Sequence, residues 1–192
     1  MRVALFGGSF NPPHVGHLLA ATYARAVAGV EALWLMPAWR HPFGKPLAPF
    51  GDRVALCEAM AGLVADASVS RVEEELGGEG RTIHAVQRLR TRYPEHAFRL
   101  VVGADILAES PRWTAFEELV ELSPLIVVGR AGHPMPEEPP PGLGTPLYLA
   151  QVRMPAVSST EVRRRLAAGE DATALVPAVV LEEIRRRHLY GT

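Results

Sequence analysis

A single cysteine stands in this chain, so Cys57 can close no internal disulfide, and no cysteine-built zinc cluster can form within one copy. It falls in the apolar pattern of a helix and reads as a small core residue. Lysine is as scarce: of 20 basic residues only Lys45 is a lysine, a bias that points to a GC-rich genome and says nothing of function. No apolar run approaches the length of a membrane span, and Val3–Phe6 is far too short for a signal peptide, so no membrane partner and a cytoplasmic location are expected. A net charge of -1 gives no basic excess for a nucleic-acid partner. Any anion site must therefore be local.

What the chain has is an ordinary globular balance, 48% hydrophobic and 21% charged over 192 residues, with no internal repeat. That suits one domain, 1–192, with a full core. Apolar runs alternate with amphipathic stretches, which predicts an α/β fold with a mainly parallel sheet covered by helices on both faces. Strands are expected at Val3–Phe6, Ala32–Met36, Ser68–Val72, Arg99–Val102, Leu125–Val128 and Leu147–Ala150. Helices are expected at Pro13–Ala28, Gly51–Val64, Thr82–Tyr93 and Ala115–Leu122, followed by a helical tail over 158–192. Two long loops stand out. The segment 37–46 follows a strand and should lie at the carboxyl edge of the sheet as a flap, and 129–146 reads as an irregular surface excursion.

The most informative stretch is Gly7-Gly8-Ser9-Phe10-Asn11-Pro12-Pro13-His14-Val15-Gly16-His17, directly after the first apolar run. Two glycines let the backbone turn, and the prolines suit a helix's first turn. On a helix the spacing of His14 and His17 puts both imidazoles on one face, with roughly 5 to 6 Å between Cβ atoms. They would stand where unpaired N–H groups and the helix dipole favour anions. Such a turn suits phosphate chemistry; half a metal site is the other reading of a histidine pair. A second element, Ser158-Ser159-Thr160-Glu161-Val162-Arg163, is by its residues a capping box opening a helix.

The first stretch resembles the Gly-Gly-Ser/Thr-Phe-Asp-Pro-x-His-x-Gly-His signature of the HxGH nucleotidyltransferases, in the form used by bacterial nicotinate-nucleotide adenylyltransferases. The second is similar to the Ile-Ser-Ser-Thr-x-Ile-Arg element of the same enzymes. Both elements are shared with pantetheine-phosphate adenylyltransferases, so they specify the reaction better than the acceptor. The resemblance implies a Rossmann-like nucleotidyltransferase fold with a small C-terminal helical part carrying the second element. It also implies adenylyl transfer from ATP to nicotinate mononucleotide, with Mg²⁺ held mainly through the ATP phosphates and no protein metal ligand identified. His14 and His17 would be catalytic. Gly7, Gly8, Ser9 and Phe10 would offer backbone N–H groups, and Gly16 would admit the nucleotide close to the helix. Ser158, Ser159, Thr160 and Arg163 would bind the β- and γ-phosphates. Gly103 and Asp105, in Gly103-Ala104-Asp105, match a Gly-x-Asp pattern that accepts from ribose hydroxyls.

The acceptor side rests on looser matches. Lys45 stands where relatives carry a Pro-His-Lys-like segment, and reads as a phosphate contact or a solvated lysine. Thr82, in Arg81-Thr82-Ile83-His84, would face the nicotinate carboxylate. Trp113 would stack on the pyridine ring or serve as core. Arg130, in Arg130-Ala131-Gly132, would contact the mononucleotide phosphate or lie on the surface. Asn11 stands where relatives mostly have Asp, and either residue can cap the helix that follows. Nicotinamide mononucleotide and phosphopantetheine remain the alternative acceptors, and a binding-only nucleotide regulator the alternative class. A dehydrogenase lacks its Gly-x-Gly-x-x-Gly turn here. Self-association into a homo-oligomer is left open by the sequence.

Overall fold

The computed structural model describes residues 1–41, 44–77, 81–105, 113–133 and 146–192. Six strands form one sheet: β1 (Arg2–Gly8), β2 (Ala32–Pro37), β3 (Ala67–Val69), β4 (Ala97–Gly103), β5 (Leu125–Arg130) and β6 (Leu147–Met154). Their order is β3-β2-β1-β4-β5-β6, and every neighbouring pair is parallel. Among the described residues seven helices cover the sheet: α1 (Val15–Val27), α2 (Phe50–Ala61), α3 (Val72–Leu76), α4 (Thr82–Arg92), α5 (Phe116–Leu122), α6 (Ser159–Ala167) and α7 (Ala178–Arg186). No described helix is long and apolar enough to cross a membrane.

The strands are near-continuous apolar runs because both of their faces are buried. Side chains alternate between two cores. Ala4, Phe6, Leu33, Leu35, Val101, Ile126 and Val128 pack with α1, α2, α6 and α7. Val3, Leu5, Met36, Leu100, Val102, Leu125 and Val127 pack with α3, α4 and α5. Fully burying one such leucine or valine contributes about 1.5–3 kcal/mol, so each face carries a large share of the stability. The tail helices join the first core through Val162, Leu166, Val180, Leu181 and Ile184.

Several boundaries differ from the sequence reading. Gly7 and Gly8 do not turn the chain; they extend β1, and the left-handed residue of the turn is Phe10 at φ 43°. Helix α1 begins at Val15 rather than Pro13, with His14 as its N-cap. The strand expected through Val72 stops at Val69, and Val72 opens the unanticipated α3. The Ser70 hydroxyl accepts from the Val72 N–H at 3.4 Å, the first turn carries Glu73, Glu74 and Glu75, and Gly77 at φ 57° ends the helix. These are the marks of a short capped helix. Of the predicted excursion 129–146, Gly129 and Arg130 belong to β5, while 134–145 lie outside the described residues.

The chain reverses its direction of sheet growth between β1 and β4, and ligands of open α/β sheets bind beyond the strand ends at such a point. The ladders show the opening. With β2, strand β1 is paired as far as Gly8↔Pro37, whereas its ladder with β4 runs from Arg2↔Ala97 to Phe6↔Val101. The β4-facing edge of Gly7 and Gly8 is thereby left to the crevice.

Candidate active site at the sheet switch point

The turn after β1 is organised by aromatic rings. Phe10 is buried, edge-on to Phe6 at 5.7 Å and to His17 at 5.0 Å between ring centroids. His14, in extended backbone at φ −143°, lies with its ring stacked on that of His17, centroids 3.8 Å apart and planes 27° from parallel. The His14 N–H donates to His17 Nδ1 at 3.2 Å. An accepting Nδ1 puts the proton of neutral His17 on Nε2. The two imidazoles therefore share one side, though through a cap and a helical residue rather than two helical ones. Gly16 leaves room for this stack: a Cβ there would come 3.1 Å from His14 Cε1 and 3.2 Å from Nδ1.

The second element meets the first directly. Ser158 caps α6, its Oγ accepting from the Glu161 N–H at 3.2 Å. The Ser159 hydroxyl donates to the Pro12 carbonyl at 2.9 Å, and Arg163 Nη1 donates to the Asn11 carbonyl at 2.7 Å. Arg163 Nη2 also reaches the Thr160 hydroxyl at 3.4 Å. These bonds join residues 147 and 152 positions apart, so the N-terminus of α6 is seated on the turn between Phe10 and His14. Glu161, pulled down to about 2 by hydrogen bonds from Arg164 and then Arg165, fixes those arginines on the outer side of the helix.

Beside the first element lies an open cavity of about 230 Å³, lined by Gly7, His14, Gly16, His17, Gly103, Asp105, Met154, Pro155 and Val157, whereas Gly8, Ser9, Phe10, Ser158, Ser159, Thr160 and Arg163 do not line it. A Cβ on Gly103 would stand 2.2 Å from Asp105 Oδ1, so a side chain there would have to displace that carboxylate. The carboxylate thus folds back over the end of β4, at the cavity. Among the described residues no group of three His, Cys, Asp or Glu side chains could hold a metal ion.

The expected acceptor residues are not gathered there. Lys45 is exposed on the segment after β2, and near it His41 is lowered by burial and then by the Lys45 charge. Thr82 is the first residue of α4 and half-buried. Trp113 is half-buried, packs against the α4 side of the sheet and meets Phe116 edge-on at 6.1 Å. Arg130 ends β5 opposite Met154, its side chain outside the described residues, as are Pro111 and Arg112. None of these lines the cavity.

Three residues that the sequence reading passed over or assigned otherwise tie the site together. Asn11 does not cap α1. Its Oδ1 accepts from the Ala48 N–H at 3.1 Å and the Tyr190 hydroxyl at 2.9 Å, while Nδ2 donates to the Pro46 carbonyl at 3.4 Å. Arg53 is 1% exposed and donates to the carbonyls of Ala48 at 3.0 Å, Ser9 at 2.9 Å and Trp39 at 3.4 Å. Glu73, raised by burial, accepts from the Trp39 N–H. The segment after β2 is accordingly fastened at Trp39 and at 46–48, which the flap expectation did not include. Arg53 was detectable: it sits on the apolar stripe of α2 with Phe50, Val54, Cys57 and Met60, where a charge needs buried partners.

Residues 5–165 match the family model described as Cytidylyltransferase-like. A protein of Anaeromyxobacter dehalogenans named a probable nicotinate-nucleotide adenylyltransferase is 48% identical over 98% of this chain and 96% of its own. One of the same name from Thermus thermophilus is 35% identical over 99% and 100%. The solved Plasmodium falciparum nicotinic acid mononucleotide adenylyltransferase complexed with NaAD superposes with a TM-score of 0.80 over 98% of this chain and 97% of that one. At 17% identity that likeness concerns the fold.

Proposed function

The chain belongs to the cytidylyltransferase-like family, and on that premise we infer that it transfers the adenylyl group of ATP to nicotinate mononucleotide, releasing pyrophosphate and forming deamido-NAD in NAD biosynthesis. It is a nucleotidyltransferase. The observation that carries the reading is the junction of the two phosphate elements, Ser159 and Arg163 bonded to the Asn11–Pro12 backbone beside the His14–His17 stack.

The reaction forms a bond from a phosphate oxygen of the mononucleotide to the ATP α-phosphorus and breaks the α–β bridge, with the electron pair leaving on pyrophosphate. The attacking oxygen is an anion at neutral pH, so no strong base is needed; alignment and charge stabilisation suffice. His14 donates to the α-phosphate as charge accumulates. His17, with its proton on Nε2, holds a neighbouring phosphate oxygen. Gly7, Gly8, Ser9 and Phe10 supply backbone donors, and Ser158, Ser159, Thr160 and Arg163 take the β- and γ-phosphates at the start of α6. Asp105 accepts from ribose beside Gly103. Lys45, Thr82, Trp113 and Arg130 serve the mononucleotide.

Mg²⁺ fits this donor set as an ion that arrives on the ATP phosphates, since Asp105 is the carboxylate at the cavity and Mg²⁺ keeps most of its waters in such sites. When bound it neutralises the leaving pyrophosphate. The reading also takes 1–192 as one domain, with 158–192 as its helical part, working in the cytoplasm. The test is incubation of the purified protein with ATP, Mg²⁺ and nicotinate mononucleotide, with products separated by chromatography. Deamido-NAD and pyrophosphate in equal amounts are expected, and neither product over a no-enzyme blank would refute the reading.

A further inference from the structure

The carbonyl of Ser9 and the N–H of Phe10 belong to one peptide unit, and the carbonyl's direction is fixed by a buried contact. Arg53 Nη1 donates to it at 2.9 Å from a guanidinium that is 1% exposed. The Ser9–Phe10 bond is trans, so its N–H points opposite to its C=O. Phe10 follows at φ 43°, a backbone conformation that costs a non-glycine residue roughly 1–3 kcal/mol and persists where its surroundings hold it. Burial lowers the Arg53 pKa, yet a guanidinium stays charged in proteins, and here backbone carbonyls satisfy it.

We propose that Arg53 is a positioning residue for ATP: by holding the Ser9 carbonyl toward α2 it turns the Phe10 N–H to the opposite side of the peptide and polarises it as a phosphate donor. This rests on the Ser9–His14 turn being the ATP turn. The guanidinium's other bonds, to Trp39 and Ala48, join the same turn to the segment after β2. That segment has further holds of its own: Glu73 on the Trp39 N–H, the Gly8 carbonyl on the Ala38 N–H at 2.9 Å, and Asn11 on Pro46 and Ala48. Shortening the fork should therefore disturb the Ser9 peptide more than the segment. Lysine keeps the charge and loses the three-way geometry.

The test compares wild type with R53K by steady-state kinetics, with circular dichroism to confirm the fold. R53K should keep its spectrum and a cooperative melt, raise the KM for ATP at least tenfold, and change the KM for mononucleotide less than threefold. Equal rises in both constants, or no change in either, would overturn the proposal. A second measurement does not depend on that variant folding or on turnover. In wild type labelled with ¹⁵N-phenylalanine, the Phe10 amide resonance should move on addition of Mg²⁺ and ATP. A stationary Phe10 resonance at saturating ATP would overturn it. A moving one in a protein that formed no deamido-NAD would keep this inference and refute the acceptor reading.

Discussion

The two sides of the switch point are furnished differently. On the β1 side, the turn from Ser9 to His14 is held by Arg53, Arg163, Ser159, Tyr190 and the segment at 46–48, with its histidines already stacked. On the β4 and β5 side, Asp105 reaches the cavity, while Thr82 and Trp113 stand apart from it. A triphosphate is recognised by backbone donors and helix ends, which come packaged in short contiguous motifs. An acceptor ring and its carboxylate are recognised by side chains from several loops. The first half is joined by hydrogen bonds within the chain, and the residues expected for the second are not gathered at the cavity.

The sharpest way to break this contrast is H14A, which should lower kcat by about two to three orders of magnitude, the usual cost of losing one transition-state donor. Circular dichroism should show the fold retained, and near-normal turnover would remove His14 from the chemistry. Next comes R163A, which loses a charged hydrogen bond to the Asn11 carbonyl worth about 1.5–3 kcal/mol. It should reduce kcat/KM for ATP by about 10- to 100-fold and leave the mononucleotide KM nearly unchanged. W113A probes the other half. If Trp113 stacks on the pyridine, the KM for mononucleotide should rise by about tenfold, from the 1–3 kcal/mol that base stacking typically contributes, with little effect on ATP. Equal effects on both substrates would assign Trp113 to its packing with Phe116.

The smallest effect concerns stability. Burial raises Glu73 above the ordinary glutamate value of 4.5, with the Trp39 N–H opposing. In the window between its unfolded and its raised folded pKa the native state binds more protons, so this group's contribution to stability is lost as pH rises through that window. E73Q keeps an acceptor for Trp39 and stays neutral. Its melting temperature relative to wild type should therefore climb between pH 4 and pH 7; a constant difference would show that Glu73 ionises without cost.

The sheet was legible because a strand buried on both faces is an uninterrupted apolar run, as at Val3–Phe6 and Leu125–Val128. The order β3-β2-β1-β4-β5-β6 was not, since strand neighbours are set by packing. Short α3 was missed because Val72 carries equally well as the end of a strand or the start of a helix, and the left-handed Gly77 that ends it is its clearest local sign. The histidine pair and the Ser158–Arg163 element could be picked out because each is a pattern of local spacing, and the structure brings the two together at the Asn11–Pro12 backbone. The network of Asn11, Arg53 and Tyr190 could not be read in full, because its partners are backbone carbonyls and amides that no side-chain pattern announces. Arg53 on an apolar stripe was its one visible sign.

The most direct test of the account is pyrophosphate release from ATP and Mg²⁺ by wild type and H14A, measured with nicotinate mononucleotide, its amide and phosphopantetheine in parallel. The account predicts release by wild type that is fastest with nicotinate mononucleotide and collapses in folded H14A. Faster release with either other acceptor, or release that H14A preserves, would contradict it.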